Sequence, residues 1–386
     1  DDAHCFKTGS FAGSRNVETL VLGDDEDFEL EDGCFVDSNV STIICKTEEQ
    51  LEYVSNHLKA TGAKEGVKVL LSETNAEGYS WTTESDGDSE FVTLLSAPKD
   101  VETFDGCLTR NDSPNDCIVP NAIASRAFAD CSKLRWATLR QGTESVGSSA
   151  FVNCTNLESL YIEGANCISV GSDAIAGCTG LRWVASRSES AVFETNENPS
   201  GCAMYAPEAA EGYNDNFYQY PSDWGTLAVS EQTDDGAVIG RVLYCDEPRY
   251  GGMWLALASD ATLPYEVKLP TATQEIYYGA FASIDGPFTL NWNELTALHA
   301  VDGSGRNWLI NIDYKGAFQD SALQGDVKLA PTDFDASEVS VFVYDDAFMG
   351  CAGLTSFIVD PEYNAQFGQM ALSGCTNLTS FSMGGG

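Results

Sequence analysis

Apolar residues recur along this chain with a period of 23 or 24 residues. After an Ala-Phe pair that ends at Phe151, apolar side chains follow at Leu157, Leu160 and Ile162, and the same spacing returns after Phe348. Self-similarity with a period in the twenties is typical of a solenoid, because one coil cannot bury its apolar face alone and stacked coils shelter one another. The pattern therefore predicts that each repeat forms one coil.

Alternation within a coil predicts a short strand. Residues two apart share one face of a strand, so we expect Leu160 and Ile162 to point inward and Ser159 and Tyr161 to point outward. Stacked coils would align such strands into one parallel sheet. The Phe of each Ala-Phe pair, called the anchor of its coil below, would then fill the opposite wall of the core.

One coil is predicted to contain a helix. In the stretch 47–62, Thr47 is a candidate N-cap with Gln50 as its capping-box partner, and Gly62 is a stop signal. Leu51 and Val54 begin an apolar stripe at helical spacing. We expect this helix on the convex side of the solenoid.

Several repeats share further landmarks, namely a Pro-containing turn, an I-x-x-x-A-F stretch and a Cys shortly after the anchor. The best examples are CIVPNAIASRAFADC from Cys117, VKLPTATQEIYYGAF from Val267 and GTESVGSSAFVNCTNLESLYI from Gly142. These residues resemble the BspA-like class of leucine-rich repeats, over roughly residues 10–45, 117–186 and 265–383. The resemblance implies a curved, right-handed leucine-rich-repeat solenoid of the α/β, mostly β class. It also implies a surface or secreted protein used in adhesion and recognition.

We expect two leucine-rich-repeat arrays that stack as one solenoid. The N-terminal array would span 1–187 and the C-terminal array 234–386. The segment 188–233 between them is rich in Gly, Pro, Asn and acidic residues and has no repeat register, so it is predicted to be an irregular insertion. Fainter copies, such as strands expected near 67–71 and 91–95, would make the solenoid nearly continuous.

Composition favours an extracellular or luminal protein. Thirteen cysteines are many for a reducing compartment. The sequence begins without a start Met, as after removal of a signal peptide or in a fragment, and no apolar run is long enough to insert in a membrane. Four Asn-x-Ser/Thr sequons are candidate glycosylation sites: Asn39, Asn111, Asn153 and Asn377.

The formal net charge of −39, from 59 acidic and 20 basic residues, restricts the partners. Binding nucleic acid or anionic membranes requires a basic surface, so neither is an expected partner. Two interpretations remain open: a solvated acidic coat, or a surface suited to cationic partners or divalent cations. The acidic turns that begin at Asp24 and Glu84 do not fit an EF-hand loop.

Six cysteines occupy one repeated position, three residues after the anchor: Cys107, Cys131, Cys154, Cys178, Cys351 and Cys375. The resemblance implies that this side chain is buried beside backbone polar groups, where the chain turns toward the strand. Disulfides between some coils are the alternative. Seven cysteines lie elsewhere and are better disulfide candidates: Cys5, Cys34, Cys45, Cys117, Cys167, Cys202 and Cys245.

Motifs for catalysis are missing from the sequence. It contains no C-x-x-C, no H-E-x-x-H and no G-x-S-x-G, and three scattered histidines leave zinc without a ligand set. With 59 acidic residues, a carboxylate pair is uninformative by itself. We therefore expect a non-enzymatic protein with no catalytic residues, no metal and no cofactor.

Outward positions of three consecutive predicted strands carry the aromatic residues Trp136, Tyr161 and Trp183. Because neighbouring strands lie about 4.8 Å apart, the rings are expected to form one exposed patch, which favours protein or carbohydrate recognition. Two rows of alternating charge beside it would either form ion-pair ladders or frame a binding site: Arg135, Glu158 and Arg182, and Arg140, Glu163 and Arg187.

The insertion offers a second candidate surface. Its aromatic residues are Tyr213, Phe217, Tyr218, Tyr220 and Trp224. Mixtures of aromatic residues with Asn and Asp are found in sugar-contacting loops, but such rings can equally anchor a segment to the solenoid. Both interpretations remain open at this stage.

The sequence thus predicts a secreted or cell-surface recognition or adhesion protein that binds a protein or glycan through the sheet face or the insertion. The alternative is a structural subunit of an extracellular filament, sheath or coat that self-assembles through the ends of the solenoid. Solenoid ends polymerise unless a cap covers them, and no evident cap follows the last repeat, ALSGCTNLTSFSMGGG.

Overall fold

The structure is a computed structural model of the chain. It describes residues 4–23, 28–87, 89–165, 168–194, 202–207, 211–213, 217–220, 227–234, 237–245, 252–254, 265–284, 286–302, 305–307 and 312–383. Within these residues, no helix combines the length and apolar character needed to cross a membrane.

The chain folds as a mostly β solenoid of about 13 turns with parallel sheets and little helix, which confirms the predicted mostly β solenoid. In the N-terminal array, sheet I consists of Thr19–Val21, Thr42–Cys45, Lys68–Thr74, Ser80–Asp86, Ser89–Ser96, Ala122–Ile123, Ser145–Val146, Ile168–Val170 and Ala191–Phe193. Sheet II consists of Thr103–Phe104, Trp136–Leu139, Ser159–Ile162, Trp183–Ser186, Ala203–Pro207 and Tyr218–Tyr220.

The C-terminal array repeats this arrangement. Sheet III consists of Leu227–Asp234, Ala237–Cys245, Gly252–Trp254, Glu275–Ile276, Ala300–Val301, Val341–Val343 and Ala365–Phe367, and sheet IV of Gln324–Leu329, Gly353–Val359 and Ser380–Ser382. The remaining described strands form pairs: His4–Phe6 with Phe28–Leu30, Leu108–Arg110 with Ser113–Ile118, Glu266–Val267 with Thr289–Leu290, and Gly305–Asn307 with Ile312–Tyr314.

The expectation of one parallel sheet is wrong, because each array has two sheeted walls. Residues just before the Ala-Phe pair, such as Ser145–Val146, pair in parallel with the same segment of the neighbouring coils and build the second wall. Sheet I also contains an antiparallel meander of Lys68–Thr74, Ser80–Asp86 and Ser89–Ser96. The faint copies expected near 67–71 and 91–95 are therefore not successive coils.

Anchor side chains form the spine of each core. The rings of Phe128 and Phe151 stack with centroids 4.8 Å apart. In the C-terminal array the ring of Phe318 stacks on Phe281 at 5.0 Å and on Phe348 at 4.9 Å. All five rings are buried, so aromatic contact between successive coils continues along the core.

Residues in the left-handed region flank most anchors and turn the chain, whereas Phe104 and Phe318 have such a residue only on the C-terminal side. Around Phe151 they are Ser149, with φ of 57°, and Asn153, with φ of 60°. This conformation is accessible to Gly and tolerated by Asn and Asp, which explains the residue that precedes each repeated cysteine. That residue has a positive φ at Gly106, Asp130, Asn153, Gly177, Gly350 and Gly374.

The repeated cysteines tie each coil to the one before it. The Cys154 thiol donates to the Phe128 carbonyl at 3.0 Å, and the Cys178 thiol donates to the Phe151 carbonyl at 3.1 Å. Cys351 repeats the bond to the carbonyl of an anchor, at 3.0 Å. Burial raises the pKa of the Cys351 thiol to about 12, so it stays protonated and able to donate at neutral pH.

Two repeated cysteines depart from this pattern. The Cys131 thiol donates to the carbonyl of Pro98, which is not an anchor, at 3.6 Å. Cys107 forms a disulfide with Cys117, one of the disulfide candidates at other positions. Three further candidates are free thiols, namely Cys5, Cys34 and Cys45, and a fourth, Cys202, is buried in the N-terminal core without a disulfide. The disulfide prediction is therefore wrong for those four. Cys167 and the side chain of Cys245 lie outside the described residues.

The predicted helix spans Glu48–His57. The Thr47 side chain accepts from the Gln50 N–H at 3.1 Å, as an N-cap should. The Gln50 side chain accepts from the Lys46 N–H at 2.8 Å, one residue before the expected position. Gly62, with φ of 73°, follows the helix as predicted.

The segment expected to be an irregular insertion continues the sheets instead. Ala191–Phe193 extends sheet I, and Ala203–Pro207 and Tyr218–Tyr220 extend sheet II, all in parallel register. Its second half begins an antiparallel hairpin of Leu227–Asp234 with Ala237–Cys245, called the crossing hairpin below. The periodic spacing is lost here, but the lateral strand pairing is kept.

Truncation of an anchor should be costly. We expect Phe151→Ala to lower the free energy of unfolding by about 3–5 kcal/mol, because it removes a buried ring stacked on Phe128. Phe91→Ala, at a side chain 37% exposed, is the matched control and should cost less than about 1 kcal/mol. Urea unfolding followed by circular dichroism measures both, and equal losses would contradict the stacked-core account.

Candidate functional site

The aromatic residues predicted to line the outward sheet face do lie on one face of sheet II. Trp136 and Trp183 pair on opposite sides of Ser159 in one row, and Tyr161 lies one row further along its strand. The prediction that they are exposed is wrong, however. Trp136 is 3% exposed, Tyr161 6% and Trp183 0%.

The crossing hairpin covers this face. Its residues Leu227 and Leu243 form a small core with Tyr161, Trp183 and Tyr205. The Tyr161 hydroxyl donates to the Leu227 carbonyl at 2.8 Å. The aromatic face of sheet II therefore binds a segment of its own chain, and it is not a free ligand surface in this structure.

A buried arginine lies at the other end of the same contact. Arg241 of the crossing hairpin is 4% exposed, and its guanidinium carbon is 5.5 Å from the centroid of the Trp136 ring. Its Nη2 pairs with Glu231 Oε1 at 3.7 Å. Burial lowers the pKa of Arg241 to about 10, so the group stays charged at neutral pH. The Arg135 guanidinium lies over the same Trp136 ring, at 4.8 Å.

The two charged rows occupy equivalent positions on neighbouring coils, as expected. In the first row the Glu158 N–H donates to the Arg135 carbonyl at 2.7 Å, and the Arg182 N–H donates to the Glu158 carbonyl at 2.8 Å. In the second row Arg140 forms an ion pair at 3.2 Å with Asp105, a residue outside the row. Glu163 and Arg187 are half-buried there, and Arg187 bonds the Tyr161 side chain.

The aromatic residues of the expected insertion whose side chains are described pack against the solenoid core. The Phe217 ring is buried in the N-terminal core at 4.7 Å from Phe193, and the Tyr213 ring lies 5.5 Å from Phe193. The side chains of Tyr218 and Tyr220 and the whole of Trp224 lie outside the described residues. Tyr213 and Phe217 thus do not form an exposed surface.

The sequons differ in how their amide groups are used. The Asn39 Nδ2 donates to the Arg15 carbonyl at 2.6 Å, and the Asn153 Nδ2 donates to Asp130 Oδ1 at 2.9 Å. A glycan attached to that nitrogen would disturb either bond. The Asn111 Nδ2 also donates, to the Thr74 carbonyl at 3.4 Å. Asn111, Asn153 and Asn377 are exposed, and glycosylation of all four residues stays a prediction.

A second sheet face is left partly open to solvent. On the outer face of sheet III, Glu275 and Phe342 pair on opposite sides of Ala300, and the next outward positions are Tyr277, Asp302 and Tyr344. We call these five side chains the aromatic-acid strip. The rings of Phe342 and Tyr344 are nearly parallel, with centroids 5.8 Å apart, and Tyr344 is 45% exposed.

The aromatic-acid strip lies next to the crossing hairpin. Tyr277 packs against the small core that Leu227 and Leu243 form on sheet II. Phe342 is half-buried, and Tyr344 is exposed. The outer face of sheet III thus passes from the covered junction to open solvent along one row of side chains.

Two carboxyl groups of the strip share a proton. Burial, the charge of Glu275 and a hydrogen bond with Glu275 raise the pKa of Asp302 to about 8. Burial, and after it the charges of Asp302 and Glu275, raise the pKa of the Tyr344 phenol. At neutral pH Asp302 therefore keeps its proton, in a hydrogen bond with Glu275.

Sequence reasoning missed the strip, although a signal was present. Tyr277 and Tyr344 both lie four residues before their anchors, Phe281 and Phe348. They hold one repeated position of the wall that was not predicted to be a sheet. Asp302 has no such signal, because the segment after it departs from the repeat before the next anchor.

A family comparison supports the repeat assignment. The family model described as "BspA type Leucine rich repeat region" matches residues 102–196 and 332–385 in six copies. These segments are BspA-type leucine-rich repeats. Outside the matched segments, the anchor Phe281 has left-handed residues on both sides, and so do Phe11 and Phe35, which hold the anchor position of their repeats without a preceding Ala. A search of curated proteins found no match.

Solved structures give further similarities. A leucine rich cell surface protein from Faecalibacterium prausnitzii is 15% identical, with 82% of this chain and 95% of that chain covered and a TM-score of 0.23. The pneumococcal vaccine antigen PcpA is 14% identical, with 81% of each chain covered and a TM-score of 0.31. A T. pallidum leucine rich repeat protein is 15% identical, with 77% of this chain and 87% of that chain covered and a TM-score of 0.20. These similarities carry no functional assignment.

Tyr161→Phe tests the covering contact. Removing the hydroxyl leaves the buried Leu227 carbonyl without this donor, so we expect a loss of about 0.5–1.5 kcal/mol in the free energy of unfolding and faster amide exchange in residues 227–245. Tyr265→Phe, at a ring 59% exposed, is the control and should stay within about 0.5 kcal/mol of wild type. Unchanged exchange in the hairpin of Tyr161→Phe would contradict the contact.

Asp302→Asn tests the shared proton. Because the folded-state pKa is raised to about 8 from 3.8, the folded protein holds this proton more tightly than the unfolded chain. Its contribution is fully present below pH 4 and is lost as pH rises toward 8, by at most about 1.4 kcal/mol per pH unit. The variant should flatten this decline in urea titrations between pH 5 and 8, and an unaltered slope would contradict the assignment.

Proposed function

We propose that this chain is a non-enzymatic, extracellular recognition protein that binds a macromolecular ligand on the aromatic-acid strip. The observation that carries the proposal is the contrast between the two sheet faces. The aromatic face of sheet II is covered by the crossing hairpin, whereas the strip on sheet III keeps Tyr344 45% exposed.

The chemistry of the strip suits binding. Aromatic rings supply contact area at low entropic cost, and Tyr adds a hydroxyl that can hydrogen-bond a ligand. Glu275 and Asp302 add acceptors beside the rings. The strands of sheet III hold all of these groups at fixed spacing, so little order has to be created when a ligand binds.

Binding without catalysis is supported by the carboxyl pair itself. Glycosidases use two carboxyl groups roughly 5 to 9.5 Å apart, with room for the scissile bond or a water between them. Asp302 and Glu275 are hydrogen-bonded to each other instead. The pair is arranged to hold a proton between its members.

An extracellular location is supported by cysteine chemistry and by the repeat class. The Cys107–Cys117 disulfide is typical of an oxidising compartment. BspA-type repeats suggest a surface or secreted protein used in recognition or adhesion. The filament or coat alternative stays a prediction, and the final glycines on which it drew lie outside the described residues.

Tyr344→Ala tests the proposed site. On an array of immobilised glycans and extracellular proteins, we expect the variant to lose at least about tenfold in affinity for any ligand that wild type binds through the strip, as for a central aromatic contact. Tyr265→Ala removes a ring that is 59% exposed and lies outside the strip, so this variant should leave binding unchanged. Full binding by Tyr344→Ala, or equal loss in both variants, would refute the site.

A further inference from the structure

Resting on the proposed function, we propose that the occupant of the strip is a cationic protein segment. An arginine or lysine side chain of the partner would lie over the rings of Phe342 and Tyr344 and pair with Glu275 and Asp302. The proposal adds a partner chemistry to the site.

The carboxyl groups of the strip differ from the acidic groups that pair with an arginine elsewhere in the described structure. Glu73 pairs with Arg110 at 3.0 Å, and Asp105 pairs with Arg140 at 3.2 Å. The neighbouring groups that shift the pKa of Asp302 are the Glu275 carboxylate and the Tyr278 N–H. The phenol of Tyr344 lies near both acids. Neither of the two neighbours that shift the pKa of Asp302 carries a positive charge. A cation from a partner would supply a counter-charge to these acids.

The covered face shows how this protein holds a cation. There the Arg241 guanidinium lies over the Trp136 ring at 5.5 Å with the Glu231 carboxylate at 3.7 Å. The strip presents the same combination, an aromatic ring beside a carboxylate on the outer face of a sheet. Cation–π contact and charge pairing act together in such a site, because the ring displaces water from the ion pair.

The charge of the whole chain favours the same partner. With 59 acidic and 20 basic residues, the molecule attracts cationic segments over a distance and repels anionic ones. This long-range attraction is not specific to one place. The rings of the strip would convert a diffuse attraction into contact at one position.

Occupation of the strip by a cation should release a proton. Near pH 7 Asp302 still holds its proton because its pKa lies at about 8. A cation beside the pair favours the doubly charged form, and the proton passes to the buffer. Affinity should therefore rise up to about tenfold between pH 7 and pH 9, as the free pair becomes fully charged.

Titration calorimetry with an acetylated Gly-Arg repeat peptide tests the inference. Its counterpart with citrulline, an uncharged isostere of arginine, is the ligand control. Measurements in phosphate and in Tris give the number of protons released. We expect nearly one proton released per bound peptide at pH 7, no detectable binding of the citrulline peptide, and loss of both proton release and pH dependence in Asp302→Asn.

Two further variants separate the strip from the acidic coat. Tyr344→Ala should lower the affinity for the arginine peptide at least about tenfold. Glu65→Gln removes one exposed charge in the N-terminal array and should leave binding unchanged. Thermal unfolding checks that each variant is folded.

The outcomes distinguish this inference from the proposed function. Equal binding of the arginine peptide by wild type, Asp302→Asn, Tyr344→Ala and Glu65→Gln would place the interaction on the acidic coat and overturn the inference. Tyr344-dependent binding of a neutral glycan, without binding of the arginine peptide, would overturn the inference and leave the proposed function standing. Absence of any Tyr344-dependent binding would overturn both.

Discussion

The structure depends on keeping successive coils in register. An anchor ring can stack on the next only if the backbone turns at the same place in each coil, and two left-handed residues around Phe151 set that turn. The Cys154 thiol then fastens one coil to the carbonyl of the previous anchor. A shift of one residue would break the ring stack, the thiol bond and the strand pairing together. The repeat therefore tolerates variation at outward positions and little at these three.

This constraint also produces the functional surfaces. Outward positions of stacked coils fall into rows, so a side chain chosen once per coil becomes a continuous surface. On sheet II the rows hold Trp136, Tyr161 and Trp183, and the chain uses them to dock its own crossing hairpin. On sheet III, which is built from the strands before the anchors, the outward rows hold aromatic rings and carboxyl groups, and Tyr344 among them is open to solvent. The same stacking of coils thus produces both a contact within the chain, on sheet II, and a surface available to a partner, on sheet III.

The sequence predicted what is local and periodic. The coil length, the inward positions and the helix at Glu48–His57 follow from spacing within one or two repeats, and the environment of Cys154 follows from the resemblance to BspA-like repeats. Burial of Trp183 could not be predicted in this way, because the residues that cover it lie tens of positions away. A signal was nevertheless present: alternating β-branched and apolar residues on both sides of the Asp-Gly pair at 235–236 are typical of a hairpin. The proton shared by Asp302 and Glu275 depends on burial and distance, which the sequence does not encode in any motif.

The crossing hairpin also has a mechanical consequence. A stack in which every turn touches only its two neighbours parts one turn at a time under tension, each at a low force. The bond from Tyr161 to Leu227 joins residues 66 positions apart and clamps several turns at once. Pulling on the two termini would load this clamp in parallel with the turns it bridges, so the middle of the molecule should yield last and in a single large step.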